Sequence, residues 1–216
     1  MNHPSDLYKI LAICFRRPDE PLFEIFRKTD SFRDILKGTS LEGLLSEHTR
    51  LFSLSVAGGI PPYETEYGHK DIFFKTQRMA DIAGFCHAFG VETTDTPPER
   101  IDFIGSELEL MYWITLKEQR AMDAGKTEQA EICRDAAAKF LQDHLGRWGS
   151  YFGDQIAKSA HLPFYKQVGQ SLFELIESEC ERLNVQPERV TGWNPEPLSA
   201  TEFECGSETG CKGELS

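Results

Sequence analysis

Apolar residues recur every three or four positions through almost the whole of this chain, and alternating runs bounded by turn residues are hard to find. Side chains repeating with a period near 3.6 share one face of a helix, whereas a strand needs a period of two. The pattern therefore restricts the chain to an all-α fold, a single-domain helical bundle. With 216 residues, 40% of them hydrophobic, there is enough chain to enclose one substantial core.

Start and stop signals divide the pattern into helices. The first starts near Ser5 or Asp6, carries Tyr8, Leu11, Ala12 and Phe15, and stops before Arg17-Pro18, because proline disfavours the α conformation in the residue before it. A short second helix follows from Pro21 with Leu22, Phe23 and Phe26. Thr39 and Glu42 form a capping box ahead of Leu41, Leu44, Leu45, His48, Leu51 and Phe52. That helix ends in VAGGIPPYETEY, where Gly58, Gly59, Pro61 and Pro62 predict a loop of restricted backbone over 57–68. Asp71 opens a helix with Phe74, Arg78, Met79, Ile82, Cys86 and Phe89 on its apolar stripe, closed by Gly90 as a left-handed cap.

Thr96, Pro97 and Glu99 stand in the order of cap, first-turn proline and capping-box acid. They predict a helix running through Ile101, Ile104, Leu108, Met111 and Thr115 to about Gly125. From Thr127 one helix is expected to carry Cys133, Ala137, Phe140, Leu141, His144 and Trp148 on one side, and 164–183 repeats the pattern with Val168, Leu172, Leu175 and Ile176. After Asn184 the composition changes. Residues 1–186 form the expected helical domain, and 187–216, with three prolines and an acidic Gly- and Ser-containing end, are expected to be a flexible tail. No fixed-period repeat supports a solenoid.

Thirty-five acidic and twenty-three basic residues leave a formal charge of -12, which repels phosphate backbones and excludes a general nucleic-acid binder. No apolar run is long enough to span a bilayer, and MNHPSDLYKI lacks an export signal, so no stable membrane insertion is expected and the cytoplasm is the expected location. The first four of the six cysteines, Cys14, Cys86, Cys133 and Cys180, sit within amphipathic patterns and read as small core residues of a reducing compartment.

A search for catalytic chemistry finds no glycine-rich phosphate cradle, no HExxH and no close spacing among the histidines. No catalytic residue and no cofactor is assigned. Cys205 and Cys211, separated by five residues in the tail, match no common zinc spacing; they are exposed thiols or, in a rival reading, the ligands of a small metal- or redox-handling protein. His144 on an apolar face is expected to be a hydrogen-bonded core histidine. Glu107 and Glu109 point to different sides of one helix, so they do not form an acid/base pair. The PPYETEY loop places Tyr63, Glu64, Glu66 and Tyr67 on a stiff connection. Their rings and carboxylates suit an arginine-bearing, partly apolar peptide, and an equally good reading packs both tyrosines back onto the bundle.

These segments resemble the TorD/DmsD/NarJ family of cytoplasmic chaperones for molybdopterin-containing oxidoreductases. LYKILAICFRRPDEPLF at 7–23 is similar to the family's opening helices. RLF at 50–52 with PPYETEY at 61–67, PPERIDFIGSELELM at 97–111 and FLQDHLGRW at 140–148 resemble three further family stretches, together covering 7 to about 183. Phe103 stands where the family usually has a histidine beside its hinge aspartate, here Asp102, and Glu99 follows Pro98 where the family has acid then proline.

The resemblance implies a TorD-like bundle, with two helical lobes joined by a hinge near 91–102 as a variant. It also implies a non-enzymatic chaperone that binds a twin-arginine leader or the apo-subunit of a molybdopterin oxidoreductase, assists cofactor insertion and delays export, as a monomer or a domain-swapped homodimer. Carried over by position, the peptide-binding residues are Tyr63, Glu64, Tyr67, Asp102, Glu107, Met111, His144 and Trp148. Glu64 and Asp102 are expected to pair with arginine, and Glu64→Arg to abolish leader binding without unfolding the domain. Besides the metal-handling reading, the remaining rival is a structural subunit of a larger complex.

Overall fold

The computed structural model describes residues 4–53, 59–68, 71–92 and 99–192. In chain order these form α1 (Pro4–Cys14), α2 (Glu20–Lys28), α3 (Asp30–Arg33), α4 (Leu41–Phe52), a 3₁₀ turn (Glu64–Glu66), α5 (Ile72–Phe89), α6 (Ile104–Asp123), α7 (Thr127–Asp143), α8 (Leu145–Ser159) and α9 (Pro163–Leu183). Among the described residues extended pairing is limited to one antiparallel bridge, Tyr63 to Phe103. One contiguous apolar cluster runs from Tyr8 to Leu183, which makes a single all-α bundle of the described chain rather than two separately cored lobes.

Helix α6 is the central element, with α1 against one side and α7 against another. Its buried residues, among them Ile104, Leu108, Leu110, Met111, Ile114 and Thr115, go well round the helix, as burial by several neighbours requires. An aromatic column joins the residue after α1 to α8 and to the loop over 59–68: Phe15 lies 5.5 Å from Phe152, Phe152 5.2 Å from Trp148, and Trp148 stacks on Tyr67 at 5.2 Å. Cys14, Cys133 and Cys180 are buried and Cys86 is half-buried, all four as free thiols.

Several local signals act as expected. Asp71 accepts from the Phe73 N–H, and Gly90 closes α5 with φ 65°. Pro21 sits in the first turn of α2, capped by Asp19. Four expectations are corrected. Ser40 rather than Thr39 caps α4: the helix begins at Leu41 and Ser40 Oγ accepts from the Gly43 N–H at 3.1 Å, while Thr39 still belongs to the preceding turn, its N–H on the Leu36 carbonyl at 3.0 Å. Helix α6 starts at Ile104, not at 97: residues 99–103 are non-helical, held by Glu64 N–H to Asp102 C=O and Ile104 N–H to Pro62 C=O, both 2.9 Å. These tertiary bonds override the local capping signal, of which Thr96 and Pro97 lie outside the described residues. The expected single helix from Thr127 breaks at His144 (φ -128°, ψ -101°) into α7 and α8. On α5 only Ile82 is buried, while Ile72 and Phe73 at its start are 81% and 76% exposed.

Residues 185–190 fold back over α7 and α8. Gln186 exchanges two hydrogen bonds with Gln142, Val190 N–H donates to the Arg147 carbonyl, and Arg189 donates to Gly146 C=O and Ser150 Oγ. The boundary placed at 187 thus falls inside packed chain. Cys205, Cys211 and the rest of 193–216 lie outside the described residues.

Helices α8 and α9 approach most closely where Gly153 faces Gly169. A Cβ on Gly169 would meet the Gly153 carbonyl at 2.6 Å and the Ala157 nitrogen at 2.7 Å, so the helices could pass only by separating. Gly169→Leu is expected to destabilise the fold by about 3 kcal/mol, measured as a lowered urea midpoint at unchanged slope.

Glu47 ties α4 to the α8–α9 turn. Its carboxylate accepts from Arg50 at 2.8 and 2.9 Å and from the backbone N–H groups of His161 and Leu162. Burial raises its pKa, but the Arg50 pairing and the two N–H bonds outweigh that and bring it from an ordinary 4.5 to about 2. The resulting stability is present in full above pH 4.5 and is lost as pH falls towards 2. Glu47→Gln is therefore expected to cost roughly 2–3 kcal/mol at pH 7 and progressively less against the wild type below pH 4, read from denaturation at stepped pH.

Candidate functional site

The loop over 59–68 is stiffened by its prolines and anchored at both ends. Ile60 N–H donates to the Leu51 carbonyl, and the Tyr67 hydroxyl donates back to Pro61 C=O at 2.8 Å. This delivers Glu64, 3% exposed, into the interior. One of its oxygens accepts from Arg78 of α5 at 3.0 Å, and the other contacts His144 Nδ1 at 3.0 Å, at the break between α7 and α8. His144 stacks on Phe140 and meets Phe85 edge-on. Arg78 also donates to the Asp143 carbonyl, which satisfies a backbone group that the end of α7 leaves free.

Asp102, fully buried, accepts from the N–H and hydroxyl of Thr65 at 3.2 and 2.7 Å and from Nε and Nη2 of Arg100 at 3.0 and 2.8 Å. Glu107, also fully buried, accepts from Trp148 Nε1 at 3.2 Å, and its other oxygen has no partner. Burial first, then the neighbouring Glu64 and Asp102, push the Glu107 pKa well above the carboxylate range, against the smaller pull of Trp148 and Arg78. The buried site thus favours the protonated form of Glu107.

Above this junction lies an open groove of about 1020 Å³ between α1, α2, α4 and α6. Leu22, Ile25, Phe103, Tyr112 and Trp113 give it an apolar lining, and Asp19, Glu99 and Glu109 with Lys9, Arg16 and Arg17 a mixed charged one. Tyr63 is half-buried and lines it, its hydroxyl donating to Glu99 at 3.3 Å.

Of the eight residues assigned from sequence, the structure therefore brings Tyr63 to the groove. It buries Glu64, Tyr67, Asp102, Glu107, Met111, His144 and Trp148 beneath or behind it. Glu64 and Asp102 do pair with arginine, but with Arg78 and Arg100 of this chain. An arginine at position 64 would lie against Arg78 in the interior, so Glu64→Arg disturbs the fold as well as any binding. Of the two tyrosine readings, the packed one holds for Tyr67, which stacks on Trp148, while Tyr63 is half-buried on the groove with its ring against Phe103. The separation of Glu107 from Glu109 stands, one buried and the other exposed on the groove.

Sequence reasoning missed Ile25, Tyr112, Trp113, Arg78 and Arg100. The adjacent aromatics Tyr112 and Trp113 lie off the Ile104–Leu108–Met111–Thr115 stripe, and that misfit was the available signal. The described residues hold no group of three or more acidic, histidine or cysteine side chains placed to bind a metal ion, and no helix among them is long and apolar enough to cross a membrane.

The family model described as nitrate reductase delta subunit matches residues 21–153, from α2 into α8, and so takes in the whole buried junction. The chain belongs to that family. It is also 32% identical over 111 residues to the chlorate reductase assembly chaperone protein of Ideonella dechloratans, which covers 51% of this chain and 55% of the relative. The selenate reductase assembly chaperone protein of Thauera selenatis is 31% identical over 108 residues, 50% of this chain and 54% of the relative. The chain thus spans about half the length of the curated relatives it matches. Helices α1 and α9 fall outside the family match, although α1 forms one wall of the groove.

Because the folded pKa of Glu107 is raised above its unfolded value, burial of this carboxyl opposes stability at neutral pH, and the penalty vanishes below the unfolded pKa near 4.5. Glu107→Gln, which keeps an acceptor for Trp148, is expected to be more stable than wild type at pH 7 and no better at pH 4. Thermal unfolding at the two pH values checks this.

Proposed function

We propose that this chain is a system-specific assembly chaperone of the cytoplasm, without catalytic activity or a cofactor of its own. It holds the twin-arginine leader or an apo-segment of a molybdopterin oxidoreductase catalytic subunit until the cofactor has been inserted, and delays export meanwhile. The observation that carries the reading is the groove: an apolar trough whose charged lining sets Asp19, Glu99 and Glu109 among Lys9, Arg16 and Arg17, beside the PPYETEY loop. A leader offers the complementary pattern, arginines followed by an apolar stretch. The apolar part suits Leu22, Ile25, Tyr112 and Trp113, and the arginines suit Asp19, Glu99 and Glu109. The net charge of -12 adds long-range attraction for such a ligand.

The names of the two relatives support the chaperone class, each for its own reductase. The buried junction contributes indirectly, by fixing the position of Tyr63 and Phe103 on the groove wall.

Binding of a fluorescent twin-arginine leader peptide is expected to weaken at least about tenfold in Ile25→Asp and in Tyr112→Ala, as for truncation of interface anchors. Ile25 is 57% exposed, so the first substitution leaves the core intact. Unchanged affinity in both folded variants would remove the leader from this groove.

A further inference from the structure

Arg100 occupies a position built for a guanidinium. Its group lies 4.2 Å from the centre of the Tyr63 ring. Its Nε and Nη2 reach the two oxygens of Asp102 at 3.0 and 2.8 Å, Nη2 also donates to Thr65 Oγ1 at 2.8 Å, and Nη1 comes within 3.5 Å of Glu66. A ring face together with a carboxylate that takes a forked pair of N–H donors selects the planar guanidinium over the ammonium of lysine.

Two features separate this contact from an ordinary structural ion pair. The Arg100 side chain is 38% exposed, and the ring it covers, Tyr63, lines the groove together with Glu99. The cradle also has support that does not involve Arg100: Thr65 holds Asp102 through both its N–H and its hydroxyl, and Glu64 N–H holds the Asp102 carbonyl. Withdrawal of Arg100 would leave a positioned, buried carboxylate under an aromatic face at the groove edge. Another arginine fits that vacancy.

We propose that Tyr63, Thr65 and Asp102 form the arginine subsite of the groove, that Arg100 fills it as an internal competitor in the free protein, and that an arginine of the bound peptide replaces it. The inference rests on the reading of the groove as a leader site and deepens it. The subsite is selective for arginine over lysine, and Arg100 sets the affinity, since binding is weakened by the fraction of molecules in which the cradle is occupied. Arg100 then turns outward to solvent, where an exposed guanidinium has little electrostatic cost.

The test measures the full-length chain against two labelled peptides, one with an Arg-Arg pair ahead of an apolar stretch and one with Lys-Lys in its place. Arg100→Gln is expected to bind the Arg-Arg peptide about fivefold more tightly than wild type, the internal competitor being gone. Arg100→Lys, which keeps the charge but not the fork, should fall between the two and serves if the glutamine variant loses its helical circular dichroism. All binding-competent forms should prefer Arg-Arg. Equal or weaker binding by the folded variants, with wild type still binding, overturns the competitor and leaves the leader reading standing. No binding by wild type or by either folded variant overturns both.

Discussion

Three carboxylates, Glu64, Asp102 and Glu107, are buried where the proline-stiffened loop, α5, α6 and the α7–α8 break converge. A buried carboxylate is tolerated only when it is paired, hydrogen-bonded or neutral, and here each takes a different course. Glu64 divides its oxygens between Arg78 and His144, Asp102 takes the fork of Arg100 and two donors from Thr65, and Glu107, its pKa raised by burial, accepts from Trp148. Much of the surrounding geometry follows from meeting these demands. Residues 99–103 stay non-helical so that Asp102 can reach Thr65, α6 starts late, and the helix after Thr127 breaks at the residue that must face Glu64.

The same demands explain what was legible in the sequence. The all-α class, the caps at Asp71 and Gly90 and the break at the PPYETEY loop rest on local rules, and they appear where those rules put them. The helix start at Thr96-Pro97 and the unbroken helix through His144 also obeyed local rules, but buried hydrogen bonds between residues far apart in sequence decided otherwise. Spacing cannot register such bonds. For the site, the resemblance singled out residues that converge in space, and the structure shows that most of them converge on one another. Asp102, Glu107, His144 and Trp148 face inward, while Ile25, Tyr112 and Trp113 face the groove and carry no motif.

This division assigns different work to the two layers. The junction is buried except at its Arg100 edge, and through Tyr63 and Phe103 it fixes one wall of the groove. The opposite wall comes from α1 and α2, with α1 outside the segment matched by the family model. Arg100 joins the layers, touching Asp102 below and Tyr63 at the groove.

The central claim is that the groove between α1, α2 and α6 receives the arginine-bearing peptide. Hydrogen–deuterium exchange of the full chain, with and without a twin-arginine leader peptide, tests this most directly. The account predicts slowed exchange over residues 9–25 and 99–113 on peptide addition, with α7 to α9 unchanged. Protection confined to α5 or to α8 and α9, or the absence of any protection at saturating peptide, would contradict it.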